Sequence, residues 1–154
     1  MKKGICVFLL SLIVSQLFSA DTKREKFGFG VILGSPSGFT MKYWDSDRTA
    51  VQGAIGSSGH GVVAVADYLY HTETFRNKDW RFYYGPGAFM GELLGGPEIE
   101  NQKVGLGIRG VFGANYMIPG HPFELSIELG PALMVIPKIG MGVGLGVSFR
   151  FYPE

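Results

Sequence analysis

Charged side chains recur at positions otherwise occupied by glycine and hydroxyl residues: Lys42, Asp67, Arg81, Arg109, Glu124, Glu128 and Arg150. Both signs are present in nearly equal number, on segments whose neighbours are apolar. An isolated charge taken out of water is costly, so groups of this kind confined together must pair. The chemistry available to them is a salt-bridge ladder. It is structural by default, and it passes water or small ions only when a pair exchanges partners.

Other candidates carry less. Gly105-Leu106-Gly107-Ile108-Arg109-Gly110 has the glycine spacing of a dinucleotide fingerprint. That chemistry needs a helix to open after the glycines, so that its amides meet a pyrophosphate. Here the apolar alternation continues through Val111 to Tyr116, which excludes a helix start. His60, His71 and His121 are scattered among turns and none stands at metal-ligand spacing from another. A lipid hydrolase would need serine, histidine and a carboxylate converging on one face. Ser57 or Ser58 with His60 is the nearest approach to that arrangement, and it falls in a turn. Catalysis, cofactor and metal are therefore not expected.

The elements that must position the charges are strands. From Ile139 to Phe151 every second residue is apolar, with Gly140, Gly142, Gly144, Gly146, Ser148 and Arg150 between them. A strand sends alternate side chains to opposite faces, so this segment has one greasy face and one face of glycine with a single charge. Turn signals divide the chain into eight such pieces: about Lys26 to Gly34, Phe39 to Trp44, Thr49 to Ser57, Val62 to His71, Trp80 to Gly91 (broken or bulged near Pro86), Lys103 to Met117, Phe123 to Val135 and Ile139 to Tyr152. The same sorting holds elsewhere. Leu106, Ile108, Phe112 and Tyr116 oppose Gly105, Gly107, Arg109, Gly113 and Asn115, while Leu125, Ile127 and Leu129 oppose Glu124, Ser126 and Glu128. Trp44 falls on the polar side of its strand, and in the fourth piece Val63, Val65 and Leu69 share parity with Asp67.

Eight strands make the smallest cylinder whose lumen side chains can fill. The fold expected is all-β, an eight-stranded antiparallel up-and-down transmembrane β-barrel, polar inside. Parity alone allows the reverse arrangement, a secreted lipocalin-like carrier with its apolar face inward around a greasy ligand. Glycine favours the membrane arrangement: a water-facing wall of Gly28, Gly30, Gly105, Gly107 and the glycines of the last strand is entropically poor and weakly soluble. Lipocalins also tend to carry a Gly-x-Trp element in the first strand, and none stands near Phe27. Tyr43, Tyr68, Tyr70, Trp80, Tyr84, Tyr116, Phe149 and Phe151 lie near expected strand ends, where aromatic girdles meet headgroups.

Residues 1–20 read as a secretory signal peptide: Lys2 and Lys3, then an apolar core too short to span a bilayer, then Phe18-Ser19-Ala20. The remaining residues, 21–154, form one barrel domain. The lone cysteine, Cys6, lies in the signal, so no disulfide framework is expected. Without Lys2 and Lys3 the 14 basic side chains fall to 12, against 13 acidic ones, which gives no reason to expect nucleic acid. Leu94 to Gln102 is the longest connection, and Glu98, Glu100 and Asn101 within it could contact an external partner.

Leu33-Gly34-Ser35-Pro36-Ser37-Gly38-Phe39-Thr40-Met41-Lys42-Tyr43-Trp44 resembles the opening hairpin of small bacterial outer-membrane barrels, similar in architecture to the transmembrane domain of outer membrane protein A. Gly113 to Gly120 with Pro122 to Leu125 resembles their penultimate hairpin, and Gly146-Val147-Ser148-Phe149-Arg150-Phe151 resembles the C-terminal signal read by the barrel-assembly machinery. The chain departs from that pattern in carrying Pro153-Glu154 after Tyr152. The resemblance implies location in a bacterial outer membrane, with outer-membrane lipid and the barrel-assembly machinery as partners. It carries over no catalytic residue. The role expected is structural or that of a narrow pore, in a monomer.

Overall fold

The computed structural model describes residues 26–58, 61–73, 79–91, 105–137 and 139–153. The expected signal peptide and the Leu94–Gln102 connection, with Glu98, Glu100 and Asn101, lie outside the described residues, as does His60. The strands are β1 (Phe27–Gly34), β2 (Ser37–Trp44), β3 (Thr49–Ser57), β4 (Val62–Glu73), β5 (Trp80–Gly91), β6 (Leu106–Met117), β7 (Phe123–Ile136) and β8 (Gly140–Phe151). Each pairs antiparallel with the next and β8 returns to β1, closing a barrel. The expected all-β, eight-stranded antiparallel up-and-down barrel is the fold observed. Closure satisfies backbone groups that an open sheet leaves unpaired at its edges.

Boundaries shift by small amounts. β2 begins at Ser37 rather than Phe39, because Ser37 and Gly38 already pair with Ser57 and Gly56 across β3. Pro86 does not break β5: its register with Gly110 holds, while the β4–β5 ladder skips from Asp67–Gly87 to Tyr70–Tyr84 around it. A proline has no N–H to donate, and the gap falls on the side where that donor is missing. The glycine-rich run after Gly105 is strand from Leu106 onward, with no helix.

Alternation sorts the side chains into an outer wall and a lumen. Leu33, Phe39, Ile108, Ile127, Leu145 and Met141 all face outward, Met141 being 85% exposed. Lys42, Gln52, Asp67, Arg109, Glu124, Glu128 and Arg150 face inward and are buried. β4 resolves the ambiguity of its parity: Val63, Val65 and Leu69 point inward beside Asp67. The lumen is therefore only partly polar, where the sequence pattern predicts a polar interior. Toward the rim that carries the β1–β2 and β3–β4 turns, Ile32, Val63, Val65, Phe89, Ala132 and Met134 pack into an apolar plug. Leu69, Tyr83 and Val111 form a second cluster deeper in.

Two glycines make the charged interior possible by close approach. One register row runs Lys42, Gln52, Asp67, Gly87, Arg109 around the barrel. Asp67 and Arg109 sit on strands separated by β5, and only a residue without a side chain at position 87 lets them meet. A Cβ built on Gly87 runs into Asp67 Oδ1. Gly113 likewise lies under the Tyr83 ring, which occupies the space a Cβ would take. Gly87→Val is expected to separate the pair beneath it and lower stability by about 3–5 kcal/mol, the cost of breaking a buried ion pair. Gly53→Val, whose Cβ meets Met41 Cγ at 3.6 Å and the Val65 oxygen at 3.7 Å, should cost no more than about 1 kcal/mol. Urea midpoints of the folded barrel in detergent micelles compare the two.

Candidate functional site

The charged lumen is built from strands that are neighbours in the cylinder and distant in sequence. Glu124 on β7 and Arg150 on β8 are directly opposite each other in register. Arg150 Nη1 donates to Glu124 Oε1 at 2.7 Å, and Lys42 Nζ reaches Glu124 Oε2 from β2 at 3.1 Å. Asn115 Nδ2 donates to the same oxygen at 3.1 Å and the Tyr152 hydroxyl at 3.0 Å. One carboxylate thus holds two cations and accepts from two neutral donors. Tyr152 lies just beyond the last strand, and burial followed by the Glu124 carboxylate holds its phenol above the ordinary range, so it remains a donor.

A second cluster centres on Arg109. Its Nε donates to Asp67 Oδ1 at 2.8 Å and its Nη2 to Glu128 Oε1 at 3.0 Å. The Tyr83 hydroxyl donates to Glu128 Oε2 at 3.3 Å. Gln52 joins the clusters: its Nε2 donates to Glu128 Oε2 at 2.8 Å, while its Oε1 accepts from Arg150 Nη2 at 2.7 Å. The rest of the Arg150 guanidinium is taken by Thr40 Oγ1, at 3.2 Å from Nε and 3.0 Å from Nη2, and by Ser126 Oγ at 3.0 Å from Nη1. Ser126 and Ser148 hydroxyls bond to each other.

Lys42, Arg109 and Arg150 thus balance Asp67, Glu124 and Glu128, all buried. These six buried charges of the described residues sum to zero, and each anion contacts a guanidinium or ammonium. Charge-assisted bonds are the strong ones, and planar guanidinium can serve several acceptors at once. Arg109 bridges Asp67 and Glu128, and Arg150 spreads its donors over Glu124, Ser126, Thr40 and Gln52.

Arg81 is the one charged candidate that does not join them. It faces the lumen side of β5 but lies at the rim, where Nη1 donates to the Asp47 carbonyl at 3.0 Å and the guanidinium stands 5.5 Å from the Trp44 ring centre. Trp44, whose polar-side parity was anomalous in the sequence, closes this rim. Its indole N–H donates to the Tyr152 hydroxyl at 3.2 Å, and its ring lies 4.2 Å from His71 and 4.4 Å from Lys42 Nζ. His71 is therefore not a turn residue, as its place in the sequence implied. It is buried inside β4 between Trp44 and Tyr83. His121 does lie in a turn, between β6 and β7. Among the described residues no group of histidine, cysteine and carboxylate side chains could hold a metal ion.

Sequence reasoning did not single out Gln52, Tyr83 or Tyr152. Parity was the available signal. Gln52 opposes Val51 in β3, Tyr83 opposes Phe82 and Tyr84 in β5, and Tyr152 continues the inward series of β8. Their uncharged side chains gave no reason to look. Comparison with known protein families, with curated proteins and with solved structures finds no match.

Glu124→Ala is expected to lower stability by about 3–5 kcal/mol, because it leaves Lys42 and Arg150 buried without their anion. Arg81→Ala, removing a rim cation, should cost at most about 1 kcal/mol. Equilibrium urea unfolding followed by tryptophan fluorescence measures both.

Proposed function

We propose that this protein is an integral barrel of a bacterial outer membrane, with a structural role and a sealed lumen. The observation that carries the reading is the inversion of polarity. Large apolar side chains cover the outer wall, including Phe39 at 72% and Leu33 at 67% exposure, while three cations and three anions are buried inside. In water that wall would be an apolar patch far beyond what soluble monomers expose. In hydrocarbon it is the expected surface, and barrel closure removes the open sheet edges that hydrocarbon does not tolerate.

Aromatic side chains strengthen the reading. On the outer wall Phe29, Phe123, Phe149 and Phe151 contact one another, as do Tyr68, Tyr70 and Tyr84, and Trp80 with Tyr116. These groups gather toward the rim of the β2–β3 and β6–β7 turns, as an interfacial girdle would. Between the two arms of the expected role, structure is favoured over conduction. The Ile32, Val63, Phe89 and Met134 plug stands across one end of the lumen, and Trp44 with Tyr152 stands across the other. A carrier for a greasy ligand is disfavoured because charged side chains occupy the space the ligand would need. The opening and penultimate hairpins and the terminal Gly146–Phe151 stretch resemble those of small outer-membrane barrels, a resemblance that implies export and recognition by the assembly machinery.

The test is insertion. Protein diluted from urea into phospholipid vesicles should float with them, resist extraction by alkaline carbonate, and migrate differently on gels before and after boiling. A chain that remains a soluble monomer without detergent overturns the reading in favour of the carrier. In planar bilayers, wild type and Arg109→Ala are both expected to give no discrete conductance steps. Steps in wild type that Arg109→Ala or Glu124→Ala alters would establish a pore instead.

A further inference from the structure

The outer wall is not uniform. A hollow of about 600 Å³ crosses it, reaching from Tyr70 and Tyr84 over Pro86, Gly110 and Pro131 to Met141. Its floor is low because the outward positions at mid-height carry small or ring-closed residues. Both prolines interrupt a ladder there. The β4–β5 pairing resumes only at Tyr70–Tyr84, and the β6–β7 pairing passes from Arg109–Ala132 directly to Phe112–Leu129. A proline outside an edge strand forgoes a backbone bond, so both interrupted ladders border the same hollow.

Polarity is graded along the hollow. Tyr70 and Tyr84 stack at 5.9 Å at the end nearer the aromatic rim, offering rings with polar tips of the kind that sit at a headgroup boundary. Met141, at the other end, has an apolar thioether and is almost fully exposed. From β4 to β8 the hollow crosses four strand spacings, about 19 Å along the curved wall at about 4.8 Å each, and the tilt of barrel strands turns part of that path along the barrel axis. One leaflet of a bilayer is about 15 Å of hydrocarbon. The hollow is continuous with the wall read above as facing lipid, and this step rests on that reading.

We propose that the hollow seats one acyl chain of a bilayer phospholipid, with the ester region at Tyr70 and Tyr84 and the chain running over Gly110 and Pro131 toward Met141. A chain lying there covers surface that a rigid neighbouring side chain cannot fill, so it is held longer than the lipids around the rest of the barrel.

Gly110→Leu provides the test, because a Cβ at Gly110 meets only the Phe112 ring at 3.7 Å and Pro131 Cγ at 3.9 Å, so the barrel accepts the side chain and the hollow loses its floor. Gly53→Leu is the matched control on another part of the outer wall. Each protein is inserted into vesicles of phosphatidylethanolamine and phosphatidylglycerol, released in mild detergent and weighed intact by native mass spectrometry. Wild type and Gly53→Leu should retain one phospholipid, and Gly110→Leu should retain at least about tenfold less, roughly a 1.4 kcal/mol loss of affinity. Equal retention by Gly110→Leu, or none by wild type that has inserted and shifts on gels, overturns the seat while leaving the membrane reading intact. Failure of wild type to insert at all sinks both. A wild-type dimer that Gly110→Leu abolishes would overturn the lipid seat and make the hollow a protein contact.

Discussion

Charge neutrality inside a narrow cylinder of backbone is the constraint on which the rest of this barrel depends. Glu124 holds Lys42 and Arg150, Arg109 holds Asp67 and Glu128, and Gln52 couples the two groups through both ends of its amide. No member can be considered alone, since removing any one leaves an uncompensated charge where water is scarce. Such a network stabilises less than an apolar core of the same volume would. It does specify: a slip of one residue in any of these strands would turn that strand's charges to the outside.

Specification of this kind bears on how the chain closes. The β7–β8 pair brings Glu124 opposite Arg150, and β8 then carries Arg150 beside Gly30 of β1. The last strand is thus tied to β1 by their ladder and to β2 and β3 by a guanidinium that reaches Thr40 and Gln52. Closure and lumen chemistry are the same event. Apolar plugging at one rim and the Trp44–Tyr152 contact at the other leave the polar network enclosed.

Outside, the same alternation produces a surface with its own detail. Proline and glycine at mid-height weaken ladders and lower the wall, and aromatic rings gather toward one rim. The interior tolerates those gaps because the bonds across the lumen are made by side chains rather than by the ladder.

How much of this was legible beforehand follows from the period of a strand. Strict alternation in β6, β7 and β8 determined which residues share a face, and turn residues between apolar runs determined the number of strands. Glycine at Gly105, Gly107 and Gly144 made the direction of the polar face readable, and all three are buried on the lumen side. Sequence alone could not reveal partners, because pairing depends on which strands lie across the cylinder: Lys42 and Glu124 are 82 positions apart and meet only once the barrel closes. Nor could it separate Arg81 from the other cations, since depth along the lumen depends on strand stagger rather than parity. The inward turn of Val63, Val65 and Leu69 was hidden for a related reason. An apolar residue fits either side of this wall, and only packing against Ile32, Phe89 and Val111 decides which it takes.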